Sequence, residues 1–195
     1  PFLAMKGGDI DFGDIDGDND LDLIITGQDN AGNSSSKLYI NNGLGSFTLV
    51  SGTIFTSVFL SSTEFIDIDN DGDLDLLVCG RDNSNLPNTS LYTNNGSGTF
   101  SLVTGTPFDN IEGDIAFGDT DNDGDQDILL VGKNDSNQTI AKLYINNGTS
   151  FSLLPNTPFP GTQVHSSSFA DFNNDGKLDL LDVGVSSNGL IGHIY

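Results

Sequence analysis

The stretch Asp14-Ile15-Asp16-Gly17-Asp18-Asn19-Asp20-Leu21-Asp22 packs five carboxylates into nine residues. It returns as Asp67 to Asp75, Asp119 to Asp127 and Asp171 to Asp179, following the pattern D-x-[DN]-x-D-[GN]-x-x-D. The first residues of successive copies lie 53, 52 and 52 positions apart. A fixed period of this length marks a repeat protein, whose units bury their apolar faces against neighbours. Carboxylates this crowded repel one another unless a hard cation sits among them. Each repeat is therefore expected to carry a calcium-type site.

Outward from the loops, every repeat reads alike. A short strand ending in an aromatic precedes the loop: Phe12, Phe65, Phe117 and Phe169. An apolar run follows and stops at a glycine: Leu21 to Thr26 before Gly27, Leu74 to Cys79 before Gly80, Ile128 to Val131 before Gly132, Leu178 to Val183 before Gly184. A third strand holds Tyr39, Tyr92, Tyr144 or Tyr195, and Asn-Asn-Gly closes it at Asn41, Asn94 and Asn146. Asn-Gly is a hairpin signal because both residues accept positive φ. A fourth strand begins at Phe47, Phe100 and Phe151, and a bend at Phe55, Pro107-Phe108 or Pro158-Phe159 leads onward. No segment has a helical period. The fold class is all-β, with four-stranded antiparallel meanders. A second strand that is apolar on both faces suits sheets stacked on sheets, as in a β-propeller. The expected blades are 1–53, 54–106, 107–157 and 158–195, the last without its fourth strand.

The chain has 195 residues and a formal net charge of -22. Of 28 acidic residues only Glu64 and Glu112 are glutamates, and 18 of the 26 aspartates lie inside the four loops. That clustering is not what a merely acidic surface would give, since Asp is the short, turn-favouring carboxylate a tight metal loop needs. No basic patch exists to meet nucleic acid, and no apolar run is long enough for a membrane-spanning helix. The start at Pro1 fits a processed or truncated product. Cys79, the single cysteine, sits where other repeats have Thr26, Val131 and Val183, and is expected to be a core hydrophobe.

FGDIDGDNDLDLIITG, FIDIDNDGDLDLLVCG, FGDTDNDGDQDILLVG and FADFNNDGKLDLLDVG together resemble the FG-GAP/VCBS repeats of integrin α-subunit propellers and of many bacterial secreted proteins. The resemblance spans all four repeats. It implies a propeller with calcium, about four ions in all, in the loop between first and second strands. Carried onto this chain, side-chain ligands fall at loop positions 1, 3, 5 and 9. These are Asp14, Asp16, Asp18 and Asp22; Asp67, Asp69, Asp71 and Asp75; Asp119, Asp121, Asp123 and Asp127; and Asp171, Asn173, Asp175 and Asp179. Position 7 would give its backbone carbonyl, from Asp20, Asp73, Asp125 and Lys177, which leaves the Lys177 side chain free to face water. Position 6 needs positive φ, met by Gly72, Gly124, Gly176 and Asn19. Position 2, with Ile15, Ile68, Thr120 and Phe172, should point into the core. Asn173 lowers the ligand charge of the fourth site, so its affinity should be weakest. An EF-hand differs: its loop ends in a glutamate at position 12 between helices.

Other residues carry weaker signals. His165 and His193 have no counterparts in other repeats and read as packed or solvated. Asp11 and Glu64 should line the propeller axis, as solvated walls or a weak cation site. Asp182 interrupts an apolar run where Ile25, Val78 and Leu130 sit, which suggests an exposed face or a contact outside the chain. The recurrent tyrosines read as packing. Six N-x-[ST] sequons, at Asn33, Asn88, Asn95, Asn134, Asn137 and Asn147, are candidates for glycosylation.

These features describe a secreted, calcium-stabilised propeller acting as a structural, adhesive or self-assembling module rather than an enzyme, since no catalytic triad or zinc spacing is present. A carbohydrate-binding propeller is the alternative. The open edge of the last blade is expected of a fragment of a longer propeller, of a closed four-bladed ring with an imperfect final blade, or of a chain that self-associates as a dimeric eight-bladed ring or a filament; extracellular proteins or glycans are the other expected partners.

Overall fold

The computed structural model describes residues 2–186 and 189–194, without the side chains of residues 164 and 165. The side chain of His165, and Tyr195 altogether, both singled out above, lie outside what is described. Sheet 1 comprises β1 (Ile10–Gly13), β2 (Asp22–Gln28), β3 (Ser34–Asn41) and β4 (Phe47–Leu49). Sheet 2 comprises β5 (Phe59–Ile66), β6 (Asp75–Arg81), β7 (Pro87–Asn94) and β8 (Phe100–Leu102). Sheet 3 comprises β9 (Ile111–Gly118), β10 (Asp127–Asn134), β11 (Thr139–Asn146) and β12 (Phe151–Leu153). Sheet 4 comprises β13 (Gln163–Ala170), β14 (Asp179–Ser186) and β15 (Gly189–Ile194). Strands within each sheet follow chain order and pair antiparallel, so the all-β meanders expected from sequence are present.

The second strands explain the stacking. Successive side chains on a strand point to opposite faces. Leu76 and Val78 on β6 join Ile15, Ile24 and Leu38 of sheet 1, while Leu77 and Cys79 join Ile111, Ile128 and Leu130 of sheet 3. Each buried Leu or Ile contributes about 1.5–3 kcal/mol. Cys79 is fully buried, and its Sγ donates to the Gly113 carbonyl oxygen at 3.4 Å. The second strands run past the glycines that seemed to end them, because the ladder continues: Arg81 still pairs with Pro87 and Lys133 with Thr139.

One expectation holds in a wider form and another is corrected. The β3–β4 hairpin signalled by Asn-Asn-Gly is present, with the two strands paired antiparallel. Gly43 has φ 69°, but Asn42 instead uses its side-chain oxygen to accept from Leu44 N and Ser46 N, which shapes a wider loop. Asp182 is neither exposed nor turned outward. It is buried, and its Oδ1 accepts from Ser167 Oγ at 3.1 Å, while its Oδ2 has no hydrogen-bond partner among the described residues.

The first strands β1, β5, β9 and β13 pack in succession along one side of the stack. A strand edge presents unpaired N–H groups, and here carboxylates of the preceding sheet accept them. Thr63 N donates to Asp9 at 3.0 Å, Phe65 N to Asp11 at 2.6 Å and Ser167 N to Asp114 at 2.8 Å. Glu64 sits in this acidic seam. Burial, then the charges of Asp11, Asp9 and Asp114, push its carboxyl up to about 7.

Close packing also explains the residue after each first-strand aromatic. A Cβ placed on Gly13 would lie 2.7 Å from Leu74 Cδ1, and one on Gly118 would lie 2.6 Å from Leu178 Cδ1. Sheet 2 has Ile66 at that seat, and the following loop replaces leucine with Gln126.

Gly118→Ile should destabilise the chain by about 1–3 kcal/mol through overpacking. Adding Leu178→Gln, which copies the Ile66 and Gln126 arrangement, should recover most of it; chemical denaturation of both variants checks this. Glu64 has a raised folded pKa, so the folded state binds more protons than the unfolded one between about 4.5 and about 7. Its penalty is absent below the lower value and complete above the upper. Glu64→Gln should stabilise by about 1–2 kcal/mol at pH 8, discounted for partial exposure. The gain should vanish near pH 4.5, as paired melts at the two pH values would reveal.

Candidate metal centres

Each acidic loop links a first strand to a second. Its shape comes from backbone N–H groups converging on the position 1 carboxylate. Asp14 accepts from Gly17 N at 2.9 Å, Asp18 N at 3.1 Å and Asn19 N at 3.0 Å. Asp67, Asp119 and Asp171 accept from the matching N–H groups of positions 5 and 6. This nest needs left-handed residues at two places. Position 6 is as expected, with φ 68° at Asn19 and 92° at Gly72. Position 4 is a second such place that the sequence reading missed, with φ 77° at Gly17 and 58° at Asn70. The signal was visible, since the four residues are Gly17, Asn70, Asn122 and Asn174.

Positions 1, 3 and 5 are brought together. Asp14, Asp16 and Asp18 offer oxygens within 4.8 Å of one another, as do Asp67, Asp69 and Asp71, and Asp119, Asp121 and Asp123. Like charges at that range cost about 1 kcal/mol per pair in water and about 3–4 kcal/mol near a protein surface. Burial, followed by the charge of the position 5 neighbour, raises the pKa of Asp16, Asp69 and Asp121. Asp16 Oδ1 is buried with no hydrogen-bond partner in the described residues. An all-oxygen triplet with an orphaned buried oxygen fits a hard divalent cation. In the fourth loop Asn173 Oδ1 accepts from Asp175 N at 2.8 Å, so the fold of the loop survives the lost charge.

Position 9 has a role that spacing alone did not give. Asp75 is fully buried, and its two oxygens accept from Ile68 N at 3.2 Å and Asn94 N at 2.7 Å. Asp22 does the same with Ile15 N and Asn41 N, and Asp127 with Thr120 N and Asn146 N. Asp179 accepts from Phe172 N at 3.0 Å. The carboxylate thus staples the loop to the end of the third strand, and it is not among the oxygens gathered at positions 1, 3 and 5; in the third loop Asp127 Oδ2 also accepts from Thr120 Oγ1. Burial pushes Asp75 up to about 6. The position 7 side chains Asp20, Asp73 and Asp125 lie over the turn glycines Gly43, Gly96 and Gly148. Lys177 is exposed. At position 2, Ile15 and Ile68 are buried as expected and Thr120 is half-buried, but Phe172 departs from the expectation and is exposed.

The recurrent tyrosines are packing residues with a polar handle: Tyr92 Oη accepts from Thr56 N, and Tyr144 Oη donates to Asp109. His193 is exposed on β15.

The sequence profile of the FG-GAP-like repeat matches residues 14–78, 67–130 and 119–181. The chain belongs to the FG-GAP-like repeat family. Each FG-GAP-like match begins on a position 1 aspartate: Asp14, Asp67 or Asp119. Eighteen solved chains match as well. One comes from work on recognition of non-reducing terminal N-acetylglucosamine by an Agrocybe aegerita lectin. It superposes with a TM-score of 0.54 at 17% identity, over 100% of this chain and 53% of that one. The likeness concerns the fold, and the FG-GAP-like chain spans about half the length of that structure. No curated protein matches the chain.

Calcium titration of single-loop variants should rank the fourth loop weakest, with Asn173→Asp restoring parity. Isothermal titration that instead finds the fourth loop tightest would refute the charge argument.

Proposed function

We propose that the four sheets are consecutive propeller blades clipped by calcium, one ion per acidic loop, and that the chain binds or assembles outside the cell without catalysing a reaction. The observation that carries this is the recurring carboxylate triplet within 4.8 Å, together with the unpartnered Asp16 Oδ1. In each loop positions 1, 3 and 5 would hold the ion, position 9 would add an oxygen, and position 7 would add its carbonyl. Calcium supplies charge neutralisation, which turns a repulsive loop into a cross-link between two strands. The surroundings favour a structural ion: the side chains interspersed with the acids include Ile15, Ile68, Leu74 and Leu178, and burial pushes the Cys79 thiol up to about 12, so it offers no nucleophile. Family membership supports the propeller, and millimolar extracellular calcium suits such sites. Extracellular proteins, glycans or further copies of the chain are the partners this role implies.

A second reading is carbohydrate binding. It is favoured by a cleft of about 420 Å³ at the end of the first strands away from the loops, lined by Leu60, Ser61, Glu112, Asp114, Lys133 and Gln163. That volume suits a small ligand, and the lining offers donors and acceptors to hydroxyls. Leu60 there has φ 47°, a strained conformation for a leucine. A glycan array separates the two readings.

Thermal unfolding in millimolar calcium and then in excess EDTA tests the main proposal. Chelation should lower the melting temperature by well over 10 °C, since removing four bound ions withdraws several kcal/mol by mass action. An unchanged melt would show that the loops do not hold structural calcium.

A further inference from the structure

One asparagine in sheet 2 is bonded to two acidic loops at once. Asn94 ends the third strand, β7. Its backbone N donates to Asp75 Oδ1 at 2.7 Å and its Nδ2 to the Leu74 carbonyl at 3.1 Å, which ties it to positions 9 and 8 of its own loop. The same Nδ2 donates at 2.7 Å to the carbonyl of Ile15, position 2 of the loop in sheet 1. Its Oδ1 accepts from Asn95 N at 2.8 Å. The site uses two donors and an acceptor from one short side chain, a set that the amide supplies and that aspartate, serine or leucine does not. Asn146 repeats the arrangement one sheet on. Its N donates to Asp127 Oδ1 and its Nδ2 to the Ile68 carbonyl, both at 2.8 Å.

Ile15 and Ile68 each lie between the position 1 and position 3 aspartates, so their two peptide groups aim those carboxylates. The Ile15 N–H is held by Asp22 of its own sheet, and its carbonyl by Asn94 of the next. Ile68 is held in the same way by Asp75 and Asn146. A second brace reinforces each junction. Gly98 N, in the turn after Asn94, donates to the Ile15 carbonyl at 2.9 Å, and a Cβ on Gly98 would lie 3.7 Å from Asp16 Cβ. Between the second and third loops, Asn70 Nδ2 donates to Asp125 Oδ1 at 2.6 Å. The bonds run without a break from Asp22 through Ile15, Asn94, Asp75 and Ile68 to Asn146.

We propose that Asn94 and Asn146 are positioning residues shared by neighbouring metal loops, and that through them calcium at one loop tightens calcium at the next. An empty loop relieves the repulsion among its carboxylates by letting them spread. That movement pulls on the position 2 peptide and on the position 9 staple, and a bound ion stills both. Asn94 bonds the position 2 carbonyl of one loop and the position 9 carboxylate of the other. Order in either loop therefore fixes the group that the other leans on, and the second ion meets a loop already partly ordered. Such coupling is reciprocal: the first loop helps the second as much as the second helps the first. The inference rests on the calcium reading of the loops and extends it from single sites to pairs.

Calcium titration of the full chain, read at single backbone amides by NMR, tests this. Gly17 N and Gly72 N donate to the position 1 carboxylates of the first and second loops, so each amide reports its own loop. Asp69→Asn with Asp71→Asn strips two charges from the second loop; the fourth loop, with Asn173 at position 3, shows that the loop shape survives such a change. In that background the half-saturating calcium at Gly17 should rise about fivefold or more. In a chain that also carries Asn94→Ala, the second-loop substitutions should leave the Gly17 midpoint where Asn94→Ala alone puts it. If Asn94→Ala does not fold, the second and third loops give the same test. Asp121→Asn with Asp123→Asn is then read at Gly72, and Asn146→Ala with Asn70→Gly removes both braces; Gly17 already occupies the matching position of the first loop. A Gly17 midpoint that ignores the second loop would overturn the coupling and leave the calcium reading standing. A rise that persists without Asn94, as through-space electrostatics would give, would overturn the role of the asparagine. Amides that do not respond to calcium would overturn the coupling and the calcium reading together.

Discussion

A carboxylate oxygen accepting a backbone N–H is the interaction on which this structure depends. It works at three scales. Position 1 gathers the N–H groups of its own loop and fixes the loop's shape. Position 9 reaches across the sheet to the end of the third strand, so a loop cannot move without its sheet. Asp9, Asp11 and Asp114 reach between sheets and satisfy an edge that would otherwise invite foreign strands. Hydrogen bonds to charged groups contribute about 1.5–3 kcal/mol each, well above neutral ones. The cost is repulsion among the acids themselves, which ion pairs such as Arg81 with Glu112 and Lys142 with Asp109 do little to relieve. That excess negative charge is the physical reason for expecting cations to be bound.

Much of this was legible in the sequence where the determinant is local. The four loops, the aromatic strand ends, the doubly apolar second strands and the left-handed position 6 all follow from residues within ten positions of one another. What escaped depends on partners far along the chain. The Asn94 side chain bonds the Ile15 carbonyl 79 residues away, and nothing near Asn94 announces it. Asn-Asn-Gly does mark a hairpin, yet in the second and third copies the first asparagine also serves the neighbouring sheet. Asp182 illustrates a different limit. Its charge was visible, but the serine that shelters it comes from a strand paired through tertiary register.

The seats and knobs between sheets give the repeats individual identities. A glycine seat takes leucine at Gly13 and Gly118, whereas Ile66 is followed by a loop carrying Gln126. Neighbouring repeats are therefore not interchangeable despite their common motif. During folding, when near-identical units compete for the same contacts, such size matching penalises a sheet that stacks out of turn and guards against the misassembly to which repeat chains are prone. The same matching limits how freely units can be shuffled, duplicated or deleted. A recombination that joins the repeat carrying Gly13 to the one carrying Gln126 would leave a void where leucine belongs, and the reverse join, Ile66 before Leu178, would clash.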